Sequence, residues 1–364
     1  MRIGIIGLPG SGKTTIFNAL TRGKAQPGGY SAAKSANVGV AHVPDERLDA
    51  LTSLYNPRKT THAEVTYVDV PVVRGKNEGD WLAGEAVSQL QKMDALLLVV
   101  RSFKDDALPH VLGSIDWTRD IEKACFDVQF ADISLIDRRI ERLNAGMKPL
   151  KAAEREQTQK QIDALRKLQA DLEAGTPVRA REQTDSDRRA LQDVFLLSAL
   201  PLLVAVNTGE DGLALAAAIE QEAFTLLKGP KTGAAAICGK LEAELAQMPP
   251  EEEAEMRAGL GAGESGLNRM IKLSYQVIGL ISFLTVGEDE VRAWPVPAGF
   301  SAPRAAGRVH SDIERGFIRA EVVSYDDLVA AGSLAEARKR GTLRQEGREY
   351  VIKDGDVVNF LFSV

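Results

Sequence analysis

Apolar positions along the chain fall into two kinds of pattern, short unbroken runs and longer helical stripes, and the two alternate. Residues 95–100 (Ala-Leu-Leu-Leu-Val-Val) and 202–206 (Leu-Leu-Val-Ala-Val) are apolar throughout, as expected of parallel strands covered on both faces. Residues 3–6 form a similar β-type run that ends at Gly7, and residues 65–70 form another that carries Asp69 near its end. Residues 37–43, closed by Pro44-Asp45, and residues 234–237 read as further strands. Strands alternating with helical stretches predict an α/β domain with a doubly wound, mostly parallel sheet. Ligands of such a sheet lie at the carboxyl ends of the strands, where Gly7 and Asp69 both fall.

Between the strands at 95–100 and 202–206 the pattern becomes helical. Ile121, Cys125, Val128, Leu135, Ile136, Ile140 and Leu143 recur at helical spacing over 120–144, and Ile162, Leu165, Leu168 and Leu172 do so over 152–174. Gly146 and Pro149 stop the first helix; Gly175 and Pro177 stop the second. Narrow stripes on highly charged helices predict an inserted antiparallel helical hairpin of coiled-coil type. A solvated spacer and a binding arm both fit that pattern. Residues 251–255 are acidic and read as a solvated stretch, and residues 23–36, rich in Gly, Ser and Ala, read as a mobile loop. From about Ile281 strand-like runs, including 316–323 and 357–362, predict a small β-rich domain.

The chemistry enters at Gly7-x-x-x-x-Gly12-Lys13-Thr14, placed between a strand and the helix that opens at Ile16. Glycines let the backbone curl until successive N–H groups face an anion, and the helix start adds its unpaired N–H groups. Lys13 and Thr14 are the candidate catalytic residues. Lys13 serves the β- and γ-phosphates, Thr14 offers a hydroxyl to Mg²⁺, and Asp69 joins it as a second metal candidate. Pro9, Gly10, Ser11 and Thr15 complete the phosphate loop, so the chain is expected to bind a nucleoside triphosphate, ATP or GTP, with Mg²⁺.

The chain has 364 residues, enough for two or three domains, and its 44% hydrophobic and 26% charged content is that of a soluble globular protein. No apolar run is long enough to cross a membrane, so no membrane partner is expected, and no secretory leader is expected either. Cys125 and Cys238 are far apart in sequence, which argues against a disulfide framework or a zinc site and for a reducing cytoplasm. The four histidines, His42, His62, His110 and His310, form no ligand-spaced cluster. A net charge of -6 gives no global attraction to nucleic acid, so any RNA contact has to use a local basic face.

Taken together, the phosphate loop, the helical insertion and the C-terminal stretch resemble the YchF family, the Obg-like ATPases of the translation-associated P-loop GTPases. The resemblance is most specific at 283–287 (Phe-Leu-Thr-Val-Gly), 291–294, 306–312, 316–321 and 354–358. Those segments look like the family's TGS domain, a ubiquitin-like β-grasp module; residues 37–40 and 44–51 look like its nucleotide domain. The resemblance implies a monomer in three parts: a nucleotide domain at 1–118 with 198–280, a helical insertion at 119–197, and a TGS-like domain at 281–364. It also implies a ribosome or structured RNA as partner, and Arg308, Arg315 and Arg319 are candidate contacts.

GTPases read guanine with Asn-Lys-x-Asp; here the chain has Asn207-Thr208-Gly209-Glu210. A carboxylate only accepts hydrogen bonds, and Glu210 is one methylene longer, so paired guanine readout is displaced; the resembled family is similar in having Asn-x-x-Glu, which implies a preference for ATP. The bland alternative is that Glu210 merely caps a loop. Cys238, at the end of the strand at 234–237, completes the nucleotide-binding set. Against the family pattern the chain has Gly10 for Asn, Ala33 for the Mg²⁺-binding Thr, and Asp69-Val70-Pro71-Val72 for the usual Asp-x-x-Gly, with Val73 near the water-orienting Gln of classical GTPases. The implied activity is slow hydrolysis in a molecular switch, or, alternatively, a nucleotide-gated binding module with little or no hydrolysis.

Overall fold

A computed structural model describes residues 1–23, 36–71, 82, 84–192, 194–260 and 262–363. The loop expected at 23–36 and the altered switch positions Ala33, Val72 and Val73 fall on or beyond the edges of these residues. Contact density divides the chain into two units, one formed by residues 1–41 with 66–270 and the other by 42–65 with 271–364.

The first seven strands are β1 (Arg2–Ile6), β2 (Asn37–His42), β3 (Lys59–Thr61), β4 (Glu64–Asp69), β5 (Ala95–Arg101), β6 (Leu202–Asn207) and β7 (Thr232–Ile237). All but β3 form one sheet in the order β2-β4-β1-β5-β6-β7. β1 runs parallel to β4 and β5, β5 to β6, and β6 to β7. Every residue of β5 and β6 is buried, which is why their sequences show no polar alternation. The register sets Arg101 beside Asn207, so the carboxyl ends of β5 and β6 lie level.

The hairpin grows out of this sheet. Its first helix, Trp117–Gly146, is capped by Asp116, whose carboxylate accepts from the Arg119 N–H at 3.1 Å. Ile121, Ala124 and Val128 near its start pack in the sheet core with Ile6, Leu98 and Val204. Ile136 further along packs instead with Leu165, Leu168 and Leu172 on the stripe of the second helix, Ala152–Glu173. That helix ends as its sequence predicts: Thr176 N–H donates to Asp171 O and Gly175 N–H to Leu172 O, both at 2.9 Å. Asp132, fully buried, accepts from the N–H groups of Leu197 and Ser198 at 2.7 Å each, and burial pushes its carboxyl up to about 6. The acidic residues 251–255, expected to be a solvated stretch, are helical instead. They belong to Pro250–Gly259, where proline suits the first turn and three glutamates complement the positive helix end.

The second unit contains β8 (Leu280–Thr285), β9 (Glu290–Pro297), β10 (Phe317–Ser324), β11 (Arg344–Glu346) and β12 (Asp356–Phe362). Its sheet runs β11-β10-β12-β8-β9-β3. β8 and β9 form an antiparallel hairpin, the helix Ala302–Val309 follows, and the last strand β12 returns parallel to β8. This is β-grasp order, and Phe283, Phe317 and Phe360 fill the core. Residues 42–65, placed by the sequence reading with the nucleotide domain, are compact with this unit. β3 lies parallel on β9, and Arg47 bridges Asp45 and Asp354 at 2.9 and 2.8 Å. Among the described residues no helix is long and apolar enough to cross a membrane.

Candidate nucleotide site

β1 ends at Ile6, and the chain then turns through residues that cannot carry a larger side chain. Gly12 has φ +89°, the left-handed region, and a Cβ there would collide with Asn207 Nδ2. A Cβ on Gly7 would run into the Val99 carbonyl oxygen. The helix Lys13–Leu20 begins directly afterwards, so its first N–H groups are directed at the loop. Ser11 N–H closes the turn on Leu8 O at 3.2 Å, while its hydroxyl is buried with no hydrogen-bond partner among the described residues.

Lys13 lies along the loop, with Nζ donating to Gly7 O at 2.9 Å and Leu8 O at 3.2 Å. Burial lowers its ammonium from 10.5 to about 8, an effect partly opposed by the Asp69 charge. Thr14 Oγ1 donates to Asp69 Oδ2 at 3.0 Å. Burial raises the Asp69 carboxyl, while Thr14, Lys13 and Asn37 hold it down. A hydroxyl and a carboxylate oxygen in contact, at the edge of a phosphate loop, are the hard oxygen donors that Mg²⁺ takes beside waters and phosphate oxygens. Among the described residues no cluster of three or more His, Cys, Asp or Glu forms a metal site.

At the end of β6 the buried Asn207 links three segments. Its Nδ2 donates to Ser11 O and its Oδ1 accepts from Gly239 N–H, both at 3.0 Å, while its own carbonyl accepts from Ser102 N–H at 2.8 Å. The residue expected to read a base thus also braces the phosphate loop. Thr208 is buried; Glu210 is exposed and opens a short helical turn, Glu210–Leu215. Cys238 is buried at the start of the helix Gly239–Leu245.

These groups line one cleft of about 960 Å³, which brings together Gly10, Gly12, Lys13, Thr14, Thr15, Asn207, Thr208, Glu210 and Cys238. Gly7, Pro9, Ser11 and Asp69 lie behind or beside it in the same unit. The sequence reading missed the wall formed by Phe103, Lys104, Asp105 and Leu108, and also Asp211 and Lys240. The only signal for the wall was a charged residue, Arg101, terminating an otherwise apolar strand run. Further along the wall loop His110 Nε2 contacts Asp120 Oδ2 at 2.9 Å, and Arg119 donates to the carbonyl of Ser114 at 2.8 Å.

Arg308, Arg315 and Arg319 belong to the second unit, on three successive elements, and all are exposed. Arg315 pairs with Asp312 and Arg319 donates to Gln345 Oε1 at 3.0 Å.

Two family models match the chain: one described as a 50S ribosome-binding GTPase over residues 2–126, and the YchF GTPase C-terminal model, described as a protein of unknown function, over 280–363. The chain is 39% identical over 371 residues to the Bacillus subtilis protein named ribosome-binding ATPase YchF, covering 99% of each. It is 33% identical over 365 residues to the Escherichia coli O157:H7 protein of the same name, covering 100% of this chain and 99% of the relative. Among solved structures, the Schizosaccharomyces pombe YchF GTPase superposes with a TM-score of 0.85 at 28% identity, covering 99% of this chain and 97% of that one.

Proposed function

This chain belongs to the YchF family, and on that premise we propose that it is a nucleotide-dependent switch that binds and slowly hydrolyses ATP and acts at the ribosome in the cytoplasm. The observation that carries the reading is the single cleft in which the phosphate loop meets Asn207–Glu210. Lys13 and the first N–H groups of the helix Lys13–Leu20 would take the phosphates, exchanging the Gly7 and Leu8 carbonyls for phosphate oxygens. Thr14 and Asp69 would hold Mg²⁺, which when bound offsets phosphate charge. Phe103 offers a ring face for the base, and Thr208 and Glu210 supply an edge whose longer carboxylate displaces the paired acceptors from where guanine needs them.

Hydrolysis joins a water oxygen to the γ-phosphorus and breaks the bond to the β–γ bridging oxygen; Lys13 offsets charge on the leaving side. Pro71 stiffens the backbone just before Val72, the position at which an Asp-x-x-Gly motif would place a glycine able to approach the γ-phosphate. Turnover is therefore slow. The same feature supports the second reading, a nucleotide-gated binder with hardly any hydrolysis. Functionally we assign 1–118 with 198–280 to the nucleotide part, 119–197 to the arm and 281–364 to a TGS-like part. The arm and the TGS-like part carry the ribosome or RNA contacts, Arg308, Arg315 and Arg319 among them.

The test joins single-turnover phosphate release from ATP to co-sedimentation with ribosomes in the ATP-bound, ADP-bound and nucleotide-free states. Slow release together with nucleotide- and salt-dependent sedimentation is expected. Sedimentation that ignores nucleotide would refute the switch, and absent release with intact gating would select the second reading.

A further inference from the structure

The wall that faces the phosphate loop has no regular secondary structure, and its shape depends on one side chain. Arg101, the last residue of β5, is only 2% exposed and meets no carboxylate among the described residues; its guanidinium donates instead to backbone carbonyls. Nε reaches Phe103 O at 3.0 Å, Nη1 reaches Leu108 O at 2.7 Å and Nη2 reaches Asp105 O at 3.2 Å. The same guanidinium lies over the Phe103 ring, 4.6 Å from its centroid. A buried cation is tolerated only when its donors are taken up, and here all three nitrogens are used within one loop. Those bonds aim Phe103 towards Gly12 and set Leu108 against Gly10. Beside Arg101 in register stands Asn207, which braces the phosphate loop from the next strand.

We propose that Arg101 is a positioning residue for nucleotide binding: by gathering the carbonyls of Phe103, Asp105 and Leu108 it holds the Phe103 ring as the stacking face for the base. This rests on the nucleotide assignment made above. Arg101 is not among the residues that line the cleft and acts through Phe103. A planar fork of fixed geometry can serve three divergent carbonyls, whereas a lysine presents all its donors from one nitrogen. Arg101→Lys keeps the charge and much of the volume but releases part of the loop; Arg101→Met releases all of it.

The experiment measures KM and kcat for ATP, with equilibrium ATP binding, in the full-length wild type and in Arg101→Lys, Arg101→Met and Phe103→Ala. Losing a held stacking face raises KM about tenfold in Phe103→Ala and Arg101→Met, with a smaller rise in Arg101→Lys and kcat within about twofold of wild type. The double variant Arg101→Lys with Phe103→Ala should be no worse than Phe103→Ala alone, because both act through one ring. A merely structural arginine would lower the melting temperature and the active fraction, hence kcat, and leave KM unmoved. Where Arg101→Met does not fold, Arg101→Lys and its double variant decide. Wild-type ATP binding with unchanged KM in Arg101→Lys, or additive effects in the double variant, overturns the inference alone. A wild type that binds no ATP overturns the nucleotide assignment with it.

Discussion

Nucleotide binding should pull a proton out of solution at mildly alkaline pH. In the free cleft, burial lowers the Lys13 ammonium to about 8, so near that pH about half of the molecules carry a neutral amine. Bound phosphates bring negative charge up against Nζ and restore the ammonium form. Moving the value from about 8 back to 10.5 is worth about 2–3 kcal/mol, with allowance for solvent at a half-buried side chain. Binding of MgATP should take up about 0.5 proton at pH 8 and about 0.9 at pH 9, fading to about 0.1 at pH 7. The terminal phosphate is already ionised across that range and adds little. Asp69 acts on the acid side with the opposite sign, since a raised carboxyl sheds its proton when a cation arrives.

The lowered Lys13 ammonium also makes the stability of the free protein depend on pH. A depressed lysine binds fewer protons folded than unfolded between about 8 and 10.5, so stability rises with pH through that window, and the cost of the buried ammonium is felt in full below it. Lys13→Met should therefore be more stable than wild type at pH 7 while losing tight triphosphate binding. Calorimetric titration with MgATP in two buffers of different ionisation enthalpy, at pH 7, 8 and 9, gives the proton count. No uptake at pH 8, or uptake that grows towards acid, would refute the argument.

Gly12→Ala should abolish nucleotide binding and cost about 1–3 kcal/mol in thermal unfolding, because φ is +89° and the new Cβ meets Asn207 Nδ2. Arg257→Met should cost about 3–5 kcal/mol in urea unfolding, since it strands the buried Glu242, which now accepts from Arg257 at 2.6 and 3.1 Å; adding Glu242→Gln should recover much of that loss.

The phosphate loop was legible because it is local: strand, glycines, lysine and helix follow one another, and their spacing states the geometry. Asp69 and Asn207 were legible for a related reason, as polar residues ending apolar strand runs. Arg101 ends such a run too, but its partners are backbone carbonyls of an aperiodic loop, which no residue pattern announces. β3 escaped notice because Lys59-Thr60-Thr61 carries no apolar signal and owes its strand form to β9, more than two hundred residues away. The run at 251–255 misled by its charge, although proline followed by acids is itself a helix start. The hairpin was plain from its stripe; that its base joins the sheet core through Ile121, Ala124 and Val128 required the fold.

The central claim is that the cleft holds a triphosphate and prefers adenine, and competition titration of the full chain with ATP and GTP in Mg²⁺ tests it directly. The account predicts that ATP binds more tightly than GTP and that Thr208→Lys with Glu210→Asp shifts the balance towards GTP. Tighter GTP binding by the wild type would contradict it.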